Sequence, residues 1–511
     1  MKRSQIDVNW AQSFATLAGR FGTQPAVVTP TSTIDFATLV GRAAALAETL
    51  RERTTTDEAV ATLLPNSIDA VVGSYGVLLS GTAETALNPH LGLSEIQYSA
   101  GLLGIRHIVT TRRLAERVRD AGCTPLVIED LEDRTSTPDV SKPAQGLDRG
   151  KILFTSGTTG KPKAIIHSHE RRWIANLLLK ANLPFTPGLE NRLLLMTPFS
   201  HGASLLTAAF HDYGASVHLL DGVDVGTVRD LLSSGSVDAM FAPPTVLAKL
   251  TAAFEGFTCN TVRAIFTGTA TLPPALYRQV RAMFGPVVRI TYGKTEIFNP
   301  ITVLQPIETD AAYENGGEQS AANLGWPAAG VELDIRDDDG NTSPAGMPGR
   351  IFIRAPQTMV GYMDENGYHE VGPHDWHESG DIGYLGARGE LMLCGRDHDM
   401  IKTGGYKMFP REVEAPIESA GPGCEVIALG LPSQYWGEIL IVAAERPVEG
   451  WEQRAEISLE GLSRHKKPRA YVAVTEFPRN AQGKIQRSKL VSQILTQYRI
   501  EDGPHPRLIP A

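Results

Sequence analysis

Ten consecutive positions, Phe154-Thr155-Ser156-Gly157-Thr158-Thr159-Gly160-Lys161-Pro162-Lys163, gather hydroxyls, glycines and two lysines directly after the apolar run Ile152-Leu153-Phe154. Glycines let a backbone turn successive N–H groups toward an anion. The hydroxyls add donors, and Lys163 adds a point charge. The chemistry this suits is the holding of a polyphosphate. A Walker A loop is excluded, because that loop needs Gly-Lys followed by Ser or Thr and here Lys161 precedes Pro162. Further on, Arg289-Ile290-Thr291-Tyr292-Gly293-Lys294-Thr295-Glu296 ends in a hard oxygen ligand. Glu296 suits Mg²⁺, which binds few carboxylates and completes its shell with substrate phosphates. His201 follows the apolar run Leu193-Leu194-Leu195-Met196, a position after a strand where loops carry function. Asp337-Asp338-Asp339-Gly340 lacks calcium-loop spacing and reads as an acidic turn. The densest basic run, Arg464-His465-Lys466-Lys467-Pro468-Arg469, reads as a solvated turn or as a local site for an anionic partner such as the phosphates of coenzyme A.

Three more strings follow: Glu378-Ser379-Gly380-Asp381, the segment from Gly395-Arg396-Asp397-His398 to Lys402-Thr403-Gly404-Gly405-Tyr406, and Pro478-Arg479-Asn480-Ala481-Gln482-Gly483-Lys484-Ile485. With the loop at 154–163 and the Tyr292–Glu296 string they form five motifs in one order. This set resembles the AMP-forming adenylating superfamily of acyl-CoA synthetases, nonribosomal peptide adenylation enzymes and luciferases, over nearly the whole chain. The resemblance implies two steps. A carboxylate attacks the α-phosphorus of ATP, giving an acyl-adenylate and pyrophosphate. The thiol of CoA or of a carrier-protein phosphopantetheine then displaces AMP. The competing reading is a family-like enzyme that activates another group, such as nitrite for diazotisation of an arylamine. A non-catalytic nucleotide-binding scaffold is disfavoured, because Glu296, Asp381, Arg396 and Lys484 are all present.

The resemblance also implies roles. Thr155, Ser156, Gly157, Thr158, Thr159, Gly160 and Lys163 would cradle the phosphates. Gly268, Thr269 and Ala270 would leave room for the purine, and Tyr292 would offer its ring nearby. Asp381 would accept from both ribose hydroxyls, Arg396 would reach ribose or phosphate, and Lys402 would complete the nucleotide site. Thr295 would donate to the α-phosphate, Glu296 would hold Mg²⁺, and Lys484 would bridge the attacking carboxylate and the α-phosphate. His201 would line the acyl channel with Gly202, Ser204, Ala242, Thr267, Thr291 and Phe298. The chain departs from the family at several points: Ala164 for glycine, Ser379 for threonine, His398 for the hinge aspartate or lysine, and Lys294 at the variable position. Gly202 stands where amino-acid-activating relatives carry an aspartate, so an α-ammonium group would be desolvated without its partner.

Elements must position these residues. Ile34 to Leu50 has helical spacing, Ala59 to Leu64 reads as a buried strand, and Ser67 to Leu79 reads as a helix stopped by Ser80-Gly81. His167 to Lys180 reads as a helix. Such alternation predicts parallel sheets covered on both sides, while Val331–Arg336 and Arg350–Arg354 predict a β-rich part near residues 325–362. The expected fold is α/β: a large N-terminal domain of layered sheets over 1–395, a hinge at 396–399, and a small mobile α+β domain over 400–511. At 511 residues and 42% apolar content a sizeable core is possible, and the net charge of −9 disfavours broad nucleic-acid binding. The four dispersed cysteines show no CxxC spacing and suit a reducing cytoplasm. Met-Lys-Arg runs into Ser4-Gln5-Ile6-Asp7, so no signal-peptide apolar region is expected.

Overall fold

The structure is a computed structural model that describes residues 7–155, 161–315, 321–479 and 485–511, without the side chains of His201 and Asn315. Among these residues two large sheets make the body. An eight-stranded sheet runs Gly367–Glu370, Gly361–Asp364, Lys163–Ser168, Arg149–Thr155, Ala83–Leu87, Ala59–Leu63, His107–Thr110, Thr124–Val127. A nine-stranded sheet runs Trp326–Pro327, Thr302–Leu304, Val288–Tyr292, Ala264–Thr267, Ala239–Phe241, Arg192–Leu195, Ser216–Leu219, Pro25–Val28, Thr33–Asp35. The strand Ala59–Leu63 is buried throughout and pairs in parallel with both neighbours, as a strand covered on two faces must.

Helices Phe36–Arg51 and Ile68–Ser80 lie between the sheets. One apolar cluster joins Val60 and Val109 of the first sheet, Leu193, Val217 and Phe266 of the second, and Leu39, Leu46, Val72 and Val77 of these helices. A helix in that place has no polar face to keep, and every residue from Ala70 to Ser80 is buried. Asp35 and Ser67 cap the two helices by accepting from the backbone N–H of Thr38 (2.8 Å) and Ala70 (3.3 Å).

A five-stranded antiparallel sheet, Ala322–Asn323, Leu391–Arg396, His377–Leu385, Gly349–Arg354, Glu332–Arg336, carries the β-rich part. Beyond Met400 the chain forms a smaller α+β unit. Its strands Tyr406–Met408, Ile401–Thr403, Gly437–Glu445 and Val426–Ser433 lie side by side, with Ala470–Val474 parallel to Gly437–Glu445. Apolar clusters of its own cover both faces. The acidic turn serves structure: Asp337 accepts from the N–H groups of Asp339 and Asn341, and Asp338 pairs with Lys407 of the smaller unit at 2.8 Å. Among the described residues no helix is long and apolar enough to cross a membrane.

One boundary differs from expectation. His167 and Ser168 finish the strand Lys163–Ser168, and the helix starts at His169, where Ser168 Oγ accepts from the N–H of Arg171. Antiparallel pairing with Arg149–Thr155 extends the strand over residues that local spacing assigns to the helix.

Three histidines are locked in the interior. His169 Nδ1 accepts from Trp10 Nε1 (3.2 Å) and its Nε2 lies 3.2 Å from the Gly81 carbonyl; His211 Nδ1 bonds the Tyr75 hydroxyl (2.7 Å) and its Nε2 the Ala26 carbonyl (3.0 Å). His167 Nε2 bonds the Thr295 carbonyl at 2.8 Å. Burial pushes all three down from 6.5 to about 4. Each is neutral in the folded chain but takes up a proton when unfolded below about pH 6.5. Their depressed values leave stability intact above that pH and withdraw it as pH falls toward 4. At pH 5 each should cost roughly 2 kcal/mol relative to pH 7. Urea unfolding midpoints at pH 7, 6 and 5 check this, and equal midpoints would refute it.

Candidate active site

The phosphate-type loop is the connection of an antiparallel pair. Thr155 closes the strand Arg149–Thr155 and stands opposite Lys163, the first residue of the next strand. Ser156, Gly157, Thr158, Thr159 and Gly160 lie outside the described residues. The flanking lysines are held from below by the strand Gly361–Asp364 and its turn. Lys161 Nζ donates to Glu365 Oε1 at 2.5 Å. Lys163 Nζ sits 3.7 Å from Asp364 Oδ2 and 4.8 Å from the centre of the Tyr362 ring. The acidic and aromatic partners of these lysines lie some two hundred residues away in the chain, and no local pattern marks them.

The second and third motifs meet on one carboxylate. The strand Val288–Tyr292 brings up Tyr292, whose hydroxyl donates to Asp381 Oδ2 across 89 residues of chain. Lys294 Nζ donates to the Ser379 carbonyl at 2.6 Å and lies 3.3 Å from the same Asp381 oxygen. Arg396, opposite Asp381 in the antiparallel pair His377–Leu385 with Leu391–Arg396, places Nε 3.6 Å from Oδ1. Ser379 Oγ accepts from the N–H of Asp381 at 3.1 Å, which is the service a threonine at that position would give. Burial, then the Asp381 carboxylate, pushes the Tyr292 phenol well up, so it stays a donor. Lys294 is thus a partner of Asp381. Sequence reasoning left its direction open.

Glu296 follows directly. Its carboxylate makes no hydrogen bond or ion pair among the described residues, while its backbone carbonyl accepts from the N–H of Met359 at 2.8 Å. The backbone is therefore fixed, while the side-chain oxygens have no protein partner among the described residues. Thr295 is fixed too, through its carbonyl on His167, whose ring stacks on Phe298 with centroids 3.8 Å apart. His377 is a residue sequence reasoning missed. It is buried beside Lys294, Glu296 and Asp381, burial pushes it down, and its Nε2 has no hydrogen-bond partner among the described residues. Its only sequence signal is its place four residues before Asp381.

The small-residue loop is set by close contact. At Gly268 φ is +151°, and a Cβ there would stand 1.9 Å from the Thr291 carbonyl oxygen, so only glycine fits. Thr269 and Ala270 beyond it are exposed. Thr267 is buried with an unpartnered hydroxyl, and Thr291 donates its hydroxyl to the Thr302 carbonyl at 3.0 Å. His201 lies in the wide helical turn Phe199–Ala203 that runs into helix Ser204–His211. Gly202 faces the Phe241 ring, with 3.5 Å left for any added Cβ. Ser204 and Ala242 are buried.

The remaining residues belong to the smaller unit or its junction. The turn Asp397–Asp399 follows Arg396, and His398 there is exposed, its Nε2 3.7 Å from Asp399 Oδ1. Lys402 is exposed on the strand Ile401–Thr403, with its backbone N–H donated to Glu438 Oε2 at 2.6 Å. Lys484 lies outside the described residues; a β-bridge between Arg479 and Ile485 brackets its position. The structure thus brings Tyr292, Lys294, Ser379, Asp381 and Arg396 into one cluster, adjoining Thr295, Glu296 and His377. Lys163 is paired with Asp364, and Lys402 hydrogen-bonds within the smaller unit.

Residues 14–363 match the family described as AMP-binding enzyme. The chain is 28% identical to a 2-succinylbenzoate–CoA ligase of Listeria monocytogenes over 442 residues, 85% of this chain and 88% of that one. It is 27% identical to a long-chain-fatty-acid–CoA ligase of Mycobacterium tuberculosis, over 85% of this chain and 88% of that one. Among solved structures, the o-succinylbenzoate CoA synthetase of Bacillus subtilis in complex with its acyl-adenylate intermediate superposes with a TM-score of 0.79 at 25% identity, covering 96% of this chain and 98% of that one.

Proposed function

The chain belongs to the AMP-binding enzyme family, and from that premise we infer that it is an ATP-dependent acid–thiol ligase. The observation that carries the reading is the convergence of Tyr292, Lys294 and Arg396 on Asp381 beside Glu296. In the first step a carboxylate oxygen attacks the α-phosphorus of ATP, the bond to pyrophosphate breaks, and an acyl-adenylate remains. In the second a thiol sulfur attacks the acyl carbon, the thiol proton passes to solvent, and AMP leaves.

Asp381 holds the ribose, accepting from its hydroxyls in exchange for Tyr292, with Lys294 and Arg396 holding it in place. Thr295 donates to the α-phosphate, and the loop at 155–163 holds the outer phosphates. Glu296 is the residue that would hold Mg²⁺: its free hard-oxygen pair fits a cation whose other ligands are phosphates. Such a cation would neutralise charge on the phosphates. Lys484 joins the two anions that must meet. The thiol is that of CoA, or of a carrier-protein phosphopantetheine, and the basic run 464–469 supplies charge for its phosphates. The acid lacks an α-amino group, because Gly202 brings no carboxylate to pair with that cation. An aryl acid, such as the substrate in the Listeria relative's name, or a medium acyl acid fits this wall.

Pyrophosphate release over a panel of 2-succinylbenzoate, benzoate, octanoate and malonate tests the reading. The same assay with nitrite and an arylamine tests the alternative. Conversion of ATP to ADP with every acid would overturn the proposal. Asp381→Asn should raise the KM for ATP by roughly 10- to 100-fold, the worth of a charge-assisted hydrogen bond at 1.5–3 kcal/mol. The KM for the acid should stay the same. An unchanged ATP KM would remove Asp381 from the ribose site.

A further inference from the structure

Gly404 and Gly405 turn the hairpin of Ile401–Thr403 with Tyr406–Met408, at φ +57° and +84°. This hairpin rests on something specific. The N–H of Gly404 donates to the Trp436 carbonyl at 2.9 Å, Thr403 pairs with Gly437, and the N–H of Lys402 donates to Glu438. The Trp436 ring lies directly beneath Gly404: a Cβ there would come within 2.7 Å of Cε3 and Cζ3. Trp436 therefore sets the height and tilt of the Gly404–Gly405 turn.

Trp436 is itself clamped from the other side. The segment Ser433–Trp436 is a tight turn with successive N–H groups pointing outward, and the carboxylate of Asp502 fills that concavity. Asp502 accepts from Ser433 Oγ (2.7 Å) and from the N–H groups of Gln434 and Tyr435 (3.3 Å for the latter), and it also accepts from Gly503 N–H at 2.9 Å. Ser433 Oγ in turn accepts from the Trp436 N–H at 2.9 Å, and Trp436 Nε1 donates to the Gly503 carbonyl at 2.9 Å. Asp502 and Gly503 sit at the tip of the hairpin Tyr498–Glu501 with Arg507–Pro510. The apolar side of that hairpin, Tyr498, Ile500 and Leu508, packs with Leu490 and Ile494 and secures its folding. The tip is exposed and polar, so its bonds answer no need of the core.

We propose that Asp502 is a positioning residue for thioester formation, holding the Gly404–Gly405 turn in place through the Ser433–Trp436 turn. This rests on the ligase reading and on the family resemblance, which implies that the glycine-containing loop near Gly404–Gly405 is presented to the incoming thiol in the second step. Among the described residues Asp502 makes no hydrogen bond or ion pair with the cluster around Asp381, so the first step should be unaffected. The chain of contact is short, direct and rigid: carboxylate to backbone turn, turn to indole, indole to glycine. A misplaced turn would misdirect the thiol while leaving the adenylate intact.

The test separates the half-reactions, using the acid from the panel that turns over fastest and CoA. In Asp502→Ala, thioester formation from the accumulated acyl-adenylate should fall roughly tenfold or more, with ATP–pyrophosphate exchange unchanged. Deuterium uptake of the peptide spanning 401–408 should rise. Asp502→Asn, which keeps one acceptor oxygen, should recover part of the loss. Trp436→Phe, which loses both the bond to Gly503 and the indole carbons under Gly404, should show a loss of the same kind. If both half-reactions fall together, or neither changes, the positioning role is overturned. If the wild-type protein forms acyl-adenylate from none of the acids in the panel, the ligase reading falls and this inference with it.

Discussion

Lys484→Ala should lower pyrophosphate release by roughly 10²- to 10³-fold, the loss measured when one donor to a developing charge is removed. The first step brings a carboxylate against a triphosphate, and two anions do not approach each other without a cation between them. A cation held by Glu296 would neutralise charge on the phosphates and would leave the acid's own charge unmatched. Under the ligase reading Lys484 would supply that match, with Gly483 before it in the sequence. The same variant given synthetic acyl-adenylate and CoA should make thioester at close to the wild-type rate, because no anion attacks a phosphate in that step. Arginine at 484 keeps the charge but not the compact ammonium, so its recovery should be partial. A Lys484→Ala protein that releases pyrophosphate normally would remove Lys484 from the first step.

Glu84→Gln should destabilise the fold by about 3–5 kcal/mol, read as a fall in the urea midpoint, without any role for Glu84 in the chemistry. Glu84 is 1% exposed and its Oε2 receives both Lys151 Nζ at 3.0 Å and Arg172 Nη1 at 2.9 Å. Burial by itself would raise its pKa, but Lys151 and Arg172 hold it below the usual carboxylate range. The glutamate joins three elements: its own strand Ala83–Leu87, the neighbouring strand where Lys151 stands opposite it, and helix His169–Ala181. Removing the one anion leaves two cations in the interior with no partner. Replacing Glu84, Lys151 and Arg172 together by leucine, methionine and leucine should recover most of the loss, since an apolar trio avoids the desolvation cost. If Glu84→Gln unfolds at the wild-type midpoint, the trio adds nothing to stability. Because the strand Arg149–Thr155 leads straight into the phosphate-type loop, loosening this anchor should also weaken ATP binding.

The order of motifs, the nature of the ligands and much of the secondary structure could be read from the chain alone. Helix Phe36–Arg51 and the strands Ala59–Leu63 and His107–Thr110 follow from apolar periodicity and local caps, which are properties of neighbouring residues. Asp381, Glu296 and Arg396 could be singled out because each sits in a short string whose residue types suit ribose, a cation or a phosphate. What these strings do not contain is each other's coordinates. Hydrogen bonds from Tyr292 and Lys294 to Asp381 span almost ninety residues, so no local pattern encodes them. The end of the strand at Ser168 came from cross-strand pairing, which overrode a helical spacing that began two residues earlier. Asp502 carried no signal and His377 only its nearness to Asp381, since an isolated histidine or aspartate in a polar stretch looks alike whether it is solvated or anchored. Local chemistry, then, determined which groups this protein possesses: a hydroxyl- and glycine-rich string flanked by lysines, Asp381, Glu296, Arg396 and Lys484 in their motifs. Only the tertiary structure decided how they are held, because burial and long-range pairing arise when distant segments share one interior.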